Sequence, residues 1–229
     1  MASRSDTAHS RLYPSLTNPS YLVLRARRLI FSSWISDLGD RPLKVLDVGG
    51  RYQPYRSLLG TRVANYVAVD VTPVDLVTII ADGQALPFAA ESFDLVIATQ
   101  VFEFFANPHL AAGQMHDVLR PGGVLLASLA AFLPRMVDLE HWRFTPAGIR
   151  STLAPFSEVE IIPEVYSIGG LLRAVNVALD VFVRYDKARF VHRHTASPVL
   201  NLLGLGLEKL RLTSNDQFTG NYSVRATKR

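Results

Sequence analysis

Apolar residues in this chain come in short runs broken by glycine, proline and polar residues. The runs at 43–48, 66–70, 76–80, 93–99 and 124–128 are rich in Val, Ile and Leu. Near-continuous apolar runs of this length are expected of strands covered on both faces of a parallel sheet. Helical stretches lie between them. The segment 20–38 has Ser20 to cap it and Gly39 to end it, a short helix fits 55–60, and Asn107-Pro108 opens a helix to 119 that Pro121-Gly122-Gly123 should stop. Strands alternating with helices predict an α/β domain with a doubly wound, mostly parallel sheet.

After residue 130 the pattern loosens. A helix should run from Thr145 or Pro146 to about Leu153, with a strand at 159–162. Two Leu- and Val-rich helices follow at 168–185 and 197–212, and Tyr222, Val224 and Ala226 alternate with polar residues in a last strand at 221–227. The two helices are expected to turn their apolar faces toward the core. The basic segment 184–194 between them reads as a solvated loop, and residues 1–20 as a loose arm. The expected organisation is an arm and helix over 1–40 and one domain over 41–229, with 168–212 as a helical insertion that caps the substrate.

One stretch carries recognisable chemistry. Lys44-Val45-Leu46-Asp47-Val48 runs into Gly49-Gly50, and a second strand ends in Asp70 about twenty residues on. In a βαβ unit such glycines let the backbone approach a ligand, and a strand-end acid accepts hydrogen bonds from ribose hydroxyls. Arg51 and Pro54 occupy positions that a dinucleotide site gives to glycine, which argues against a nicotinamide oxidoreductase.

Composition narrows the picture further. With 48% hydrophobic and 19% charged residues the chain should bury a real core. It has no cysteine, which removes disulfides, thiolate metal sites and cysteine nucleophiles. That fits a cytoplasmic protein, as does an N-terminus without an apolar core of signal-peptide length. The net charge of +4 is uneven: residues 1–30 hold five arginines and one aspartate, and 181–229 hold nine basic and three acidic residues. Basic ends around an acidic middle fit either a phosphate-bearing or membrane-surface partner or ordinary solvated surface. His192-Arg193-His194 lacks an obvious third ligand, so no metal site is expected.

Five segments together resemble the class I S-adenosylmethionine-dependent methyltransferases, within the methyltransferase type 11 group. They are Leu46-Asp47-Val48-Gly49-Gly50, the strand-end Asp70, Ala81-Asp82-Gly83-Gln84-Ala85-Leu86-Pro87-Phe88, Ser92-Phe93-Asp94-Leu95-Val96 and Leu119-Arg120-Pro121-Gly122-Gly123. The resemblance covers about 43–163 plus the last strand. It implies a Rossmann-like sheet of seven strands with the last antiparallel, and S-adenosylmethionine as cofactor with S-adenosylhomocysteine as product. It implies cofactor contacts at Asp47, Gly49, Gly50, Asp70, Val71, Asp82, Gly83, Gln84 and Gln100. Asp82-Gly83 also reads as a simple turn, and Gln100 as a strand's exit to water. Arg51 stands where the family has a third glycine; it would reach the methionine carboxylate or turn to solvent. The family's Glu-His pair after the fourth strand reads Glu103-Phe104 here, which removes one customary base.

The expected activity is methyl transfer to a small molecule, a sugar or a lipid-linked intermediate. RNA or protein methylation and a non-catalytic cofactor-binding subunit are the alternatives. Neither DNA nor RNA is an expected partner, whereas peripheral membrane contact is. Methyl transfer needs alignment above all, and a base only when the nucleophile must lose a proton early. Glu103 and His141 are the candidate catalytic groups, and Trp142 and Arg143 the candidate acceptor contacts. For both sets simple loop packing is the competing reading.

Overall fold

The structure is a computed structural model that describes residues 4–132, 137–210 and 215–229. Its seven strands are β1 (Leu43–Val48), β2 (Val63–Asp70), β3 (Ile79–Ile80), β4 (Phe93–Thr99), β5 (Leu119–Ala130), β6 (Glu158–Pro163) and β7 (Asn221–Thr227). They form one sheet in the order β3-β2-β1-β4-β5-β7-β6. The pairs among β1 to β5 are parallel, and β7 runs antiparallel to both β5 and β6. This is the Rossmann-like arrangement that the resemblance implies.

The apolar runs are continuous because both sheet faces are covered. On one face Leu46, Val48, Val96, Ala98, Leu125 and Ala127 pack with Phe102, Met115 and Ile149. On the other, Val45, Leu95, Ile97, Val124 and Leu126 pack with Phe31, Trp34, Ile35 and Tyr55. The helices are α1 (Arg4–Leu12), α2 (Tyr21–Ser36), α3 (Arg56–Leu59), α4 (Pro108–Val118), α5 (Pro146–Thr152), α6 (Ser167–Phe182), α7 (Asp186–His194) and α8 (Ala196–Lys209). The Asn107 side chain accepts from the Leu110 N–H at 3.1 Å to cap α4, and Thr145 accepts from Gly148 at 3.2 Å to cap α5.

Four expectations need correction. The start of the chain is not a loose arm: residues 4–12 form α1, which buries Leu12 among Phe31, Trp34 and Tyr55 and lays the Arg11 guanidinium 4.5 Å from the centre of the Tyr52 ring. Leu12 is the buried side chain among the described residues of this helix, so no apolar period announced it. The basic segment is not a loop either: Asp186–His194 is α7, with Arg193 paired to Asp180 of α6 at 2.7 Å and His192 buried against the Asn176 carbonyl. β5 begins at Leu119, so Pro121-Gly122-Gly123 lies inside a strand, where the register with β4 shifts. Finally, α6 and α8 turn only some of their apolar residues inward: Val177 is buried and Leu205 packs with Leu22, Val23 and Val165. Leu171, Val175, Leu179, Phe182, Val199, Leu202 and Leu203 are exposed.

Candidate cofactor and acceptor site

Parallel strands β1, β2, β4 and β5 end on one edge of the sheet. The chain leaves β1 toward β2 on one side and returns to β4 on the other, and ligands of open sheets bind in the crevice so made. The residues singled out from sequence cluster here. Gly49 has φ +79°, and the N–H groups of Gly49 and Gly50 both donate to the Val69 carbonyl, at 2.8 and 3.1 Å. A Cβ on Gly50 would lie 2.8 Å from the Asp47 carbonyl oxygen, so the turn admits only glycine there without a shift.

Asp47 is 4% exposed, and its Oδ2 accepts from the Tyr66 hydroxyl at 2.5 Å. Burial pushes its carboxyl up to about 7; the Tyr66 hydrogen bond opposes the rise and the Asp70 charge adds to it. Asp70 ends β2 and is itself buried, but its two oxygens are already engaged. Arg51 donates from Nε to Oδ2 and from Nη2 to Oδ1, both at 3.1 Å, and Thr72 N–H adds a bond at 2.9 Å. Arg51 therefore neither reaches into the crevice alone nor turns to solvent; it clamps the strand-end acid. Val71, next along, is exposed.

Asp82 is exposed and accepts from the Gln84 N–H at 2.9 Å, closing an Asx-type turn. The Gln84 side chain bridges from Asp82 to the Asn107 N–H, and Gly83 lies under Phe105, where a Cβ would strike the ring at 2.7 Å. These three residues thus fix the loop over the β4 side of the crevice. Gln100 follows β4 with φ +52°, unusual for a residue with a side chain, and its Nε2 donates to Ser128 Oγ at 3.2 Å.

Glu103 sits in a single helical turn, Phe102–Phe104, just beyond Gln100. It is 4% exposed and its Oε2 has no hydrogen-bond partner. Burial raises its carboxyl to about 7, with Glu140 adding to the rise and Arg27 and Arg143 opposing it. Its carbonyl receives the N–H groups of His141 at 2.7 Å and Trp142 at 3.3 Å, and Trp142 Nε1 donates to the Phe105 carbonyl at 2.8 Å. The segment Glu140 to Phe144 is thereby fastened beside Glu103. His141, Trp142 and Arg143 are exposed, and Arg143 pairs with Glu140.

Sequence reasoning missed a buried polar knot behind this edge. Glu164, directly after β6, accepts from Arg27 of α2 at 2.6 and 2.9 Å, from Ser128 at 2.8 Å, from Ser223 at 3.0 Å and from Asn221 at 3.1 Å. Burial alone would lower the Arg27 guanidinium, but the Glu164 carboxylate outweighs it and holds the group above its ordinary range. Arg173 of α6 is also buried, which lowers it to about 10. Polar Ser128 inside the apolar run of β5 was the one local hint. Nothing near Arg27 or Glu164 in sequence announces the pair.

Comparisons with known proteins now bear on this edge. Residues 46–127 match the family model described as methyltransferase domain. That segment is similar to a methyltransferase domain. An uncharacterized methyltransferase of Mycolicibacterium vanbaalenii is 31% identical over 114 residues, covering 44% of this chain and 45% of that protein. The chain thus spans just under half the length of that curated relative. Among solved structures, the cyclase SpnF superposes with a TM-score of 0.54 at 16% identity, over 87% of this chain and 80% of that one. The Haemonchus contortus phosphoethanolamine N-methyltransferase 2, in complex with S-adenosyl-L-methionine, gives 0.54 at 14% identity over 100% of this chain and 60% of that one. Both likenesses speak for the fold. Asp47, Gly49, Gly50, Asp70, Asp82, Gln84, Gln100 and Glu103 all lie within the matched segment, whereas His141, Trp142 and Arg143 lie beyond it.

Proposed function

We propose that this chain is an S-adenosylmethionine-dependent methyltransferase acting on a small molecule, a sugar or a lipid-linked intermediate. The observation that carries the reading is the set of three buried acids at one sheet edge: Asp47 beside the glycine turn, Asp70 at the end of β2, and Glu103 with an unpartnered oxygen just past β4.

The donor set suits the cofactor. Bound there, S-adenosylmethionine supplies a methyl group on a cationic sulfur. Asp47 would meet its positive charge, Asp70 its ribose hydroxyls, and the turn Asp82-Gly83-Gln84 the adenine edge. Glu103 would orient the acceptor and take up its proton, with Trp142 and Arg143 at the mouth. Alignment at this edge is the main source of rate.

The deciding experiment is calorimetric titration with S-adenosylmethionine and with a nicotinamide dinucleotide. Binding of the first and not the second is expected; the reverse would sink the proposal. In the same assay Asp70→Ala should weaken cofactor affinity about 100-fold, since the charge-assisted bond that Oδ2 can still accept from the ribose is lost and Arg51 is released from the glycine turn. The pH dependence follows from Asp47. Its carboxyl, near 7 in the free protein, is drawn down by a bound cation, so binding requires proton loss below that value. Affinity should therefore fall about tenfold per pH unit below about pH 7 and level off above it, and Asp47→Asn should flatten the profile.

A further inference from the structure

Helices α6 and α8 are built inside out. Facing the protein they present Ser167, Gly169, Gly170, Arg173, Asn176 and Val177 from α6 and Ser197, Asn201 and Gly204 from α8. Gly204 packs against Leu22, and Asn201 donates to the Leu16 and Asn18 carbonyls at 2.8 and 2.9 Å. Their outward faces are apolar. Leu171, Val175, Leu179 and Phe182 make one stripe down α6, and Val199, Leu202, Leu203 and Leu210 another along α8. Phe182 is 82% exposed and Leu210 68%, and α7 adds Phe190 and Val191. A helix of a water-soluble domain shows the opposite polarity, and scattered exposed leucines do not form aligned stripes. Small and polar residues between helices with large apolar ones outside is the pattern of helices whose surroundings are lipid.

Charge identifies the surroundings. At one end of the α6–α8 pair Arg184, Lys187, Arg189 and Arg193 outnumber Asp180 and Asp186, and at the other exposed Lys209 follows half-buried Glu208. The glycine contacts fix this antiparallel arrangement, since Gly169 at the start of α6 meets Glu208 at the end of α8. An apolar face bordered by a net basic end fits an interface whose interior is hydrocarbon and whose headgroups are anionic. Among the described residues no helix is long and apolar enough to cross a membrane. We propose that the outer face of α6, α7 and α8 lies in the plane of an anionic lipid surface.

Vesicle flotation of the full chain tests this. Vesicles of phosphatidylcholine containing phosphatidylglycerol should retain the protein at least about tenfold better than phosphatidylcholine alone, because each basic side chain near an anionic surface adds to the attraction. The double variant Leu179→Asp, Phe182→Asp should lose at least about tenfold of that partitioning. Its thermal transition should be unchanged, as both side chains are exposed in the folded protein. Unaltered flotation of the double variant, or equal retention on both vesicle types, would overturn the proposal. So would a protein that ignores vesicles and instead forms a dimer that the same substitutions dissociate.

Discussion

Glu164→Ala is expected to destabilise the protein by about 3–5 kcal/mol, the usual cost of removing one partner from a buried ion pair. The carboxylate receives five hydrogen bonds from four residues, and all of its partners are inside. Removing it strands the Arg27 guanidinium, which already lacks water, close to a second buried guanidinium at Arg173. Urea denaturation followed by circular dichroism measures the loss. The double substitution Arg27→Met, Glu164→Leu should be milder than Glu164→Ala alone, because it removes both charges together and restores apolar volume. Equal losses in the two would show that packing, and not the stranded charge, sets the cost.

Glu103→Gln should lower kcat by about 100- to 1000-fold, within the usual range for loss of a proton acceptor. Cofactor affinity should hardly change. The amide keeps the shape and removes the site that takes the proton. With Glu103 near 7, wild-type kcat at saturating cofactor should fall as pH drops below that value, since the protonated acid accepts nothing. The variant's residual rate should lack this acid limb. Because Asp47 titrates in the same range, the two are separated by the quantity measured: Asp47 governs the cofactor's Kd, and Glu103 governs kcat. A variant whose kcat keeps the acid limb would remove Glu103 from the proton's path.

The sheet was legible in sequence where local pattern decides structure. β1, β4 and most of β5 are runs buried on both sides, and the Asn107-Pro108 cap marked the start of α4 to the residue. The glycine turn and Asp70 were readable because a strand, a turn and a strand-end acid are local units. What local pattern cannot carry is pairing across the chain. Arg27 and Glu164 lie 137 positions apart, and each looks like a surface residue until the other is in place. Arg51 was placed correctly at the glycine turn, but its partner Asp70 is reached only when β1 and β2 lie side by side. The leucines of α6 and α8 were visible too. Reading them as core followed the rule for soluble helices, and the side that packs is instead marked by Gly169, Gly170, Asn176, Asn201 and Gly204.

The bonds from Asn201 to the Leu16 and Asn18 carbonyls span 185 and 183 positions, and Arg27 waits for Glu164. Residues 16–27 are therefore anchored by groups more than 130 positions further along the chain. Long loops must close before these contacts give anything back, and such steps are slow. During translation Phe31, Trp34 and Ile35 can be covered once β1, β4 and β5 are made, whereas Leu22 and Val23 wait for Val165 and Leu205. Docking of residues 16–27 should thus come late in assembly, and the uncovered Leu22 and Val23 are what a chaperone would hold meanwhile.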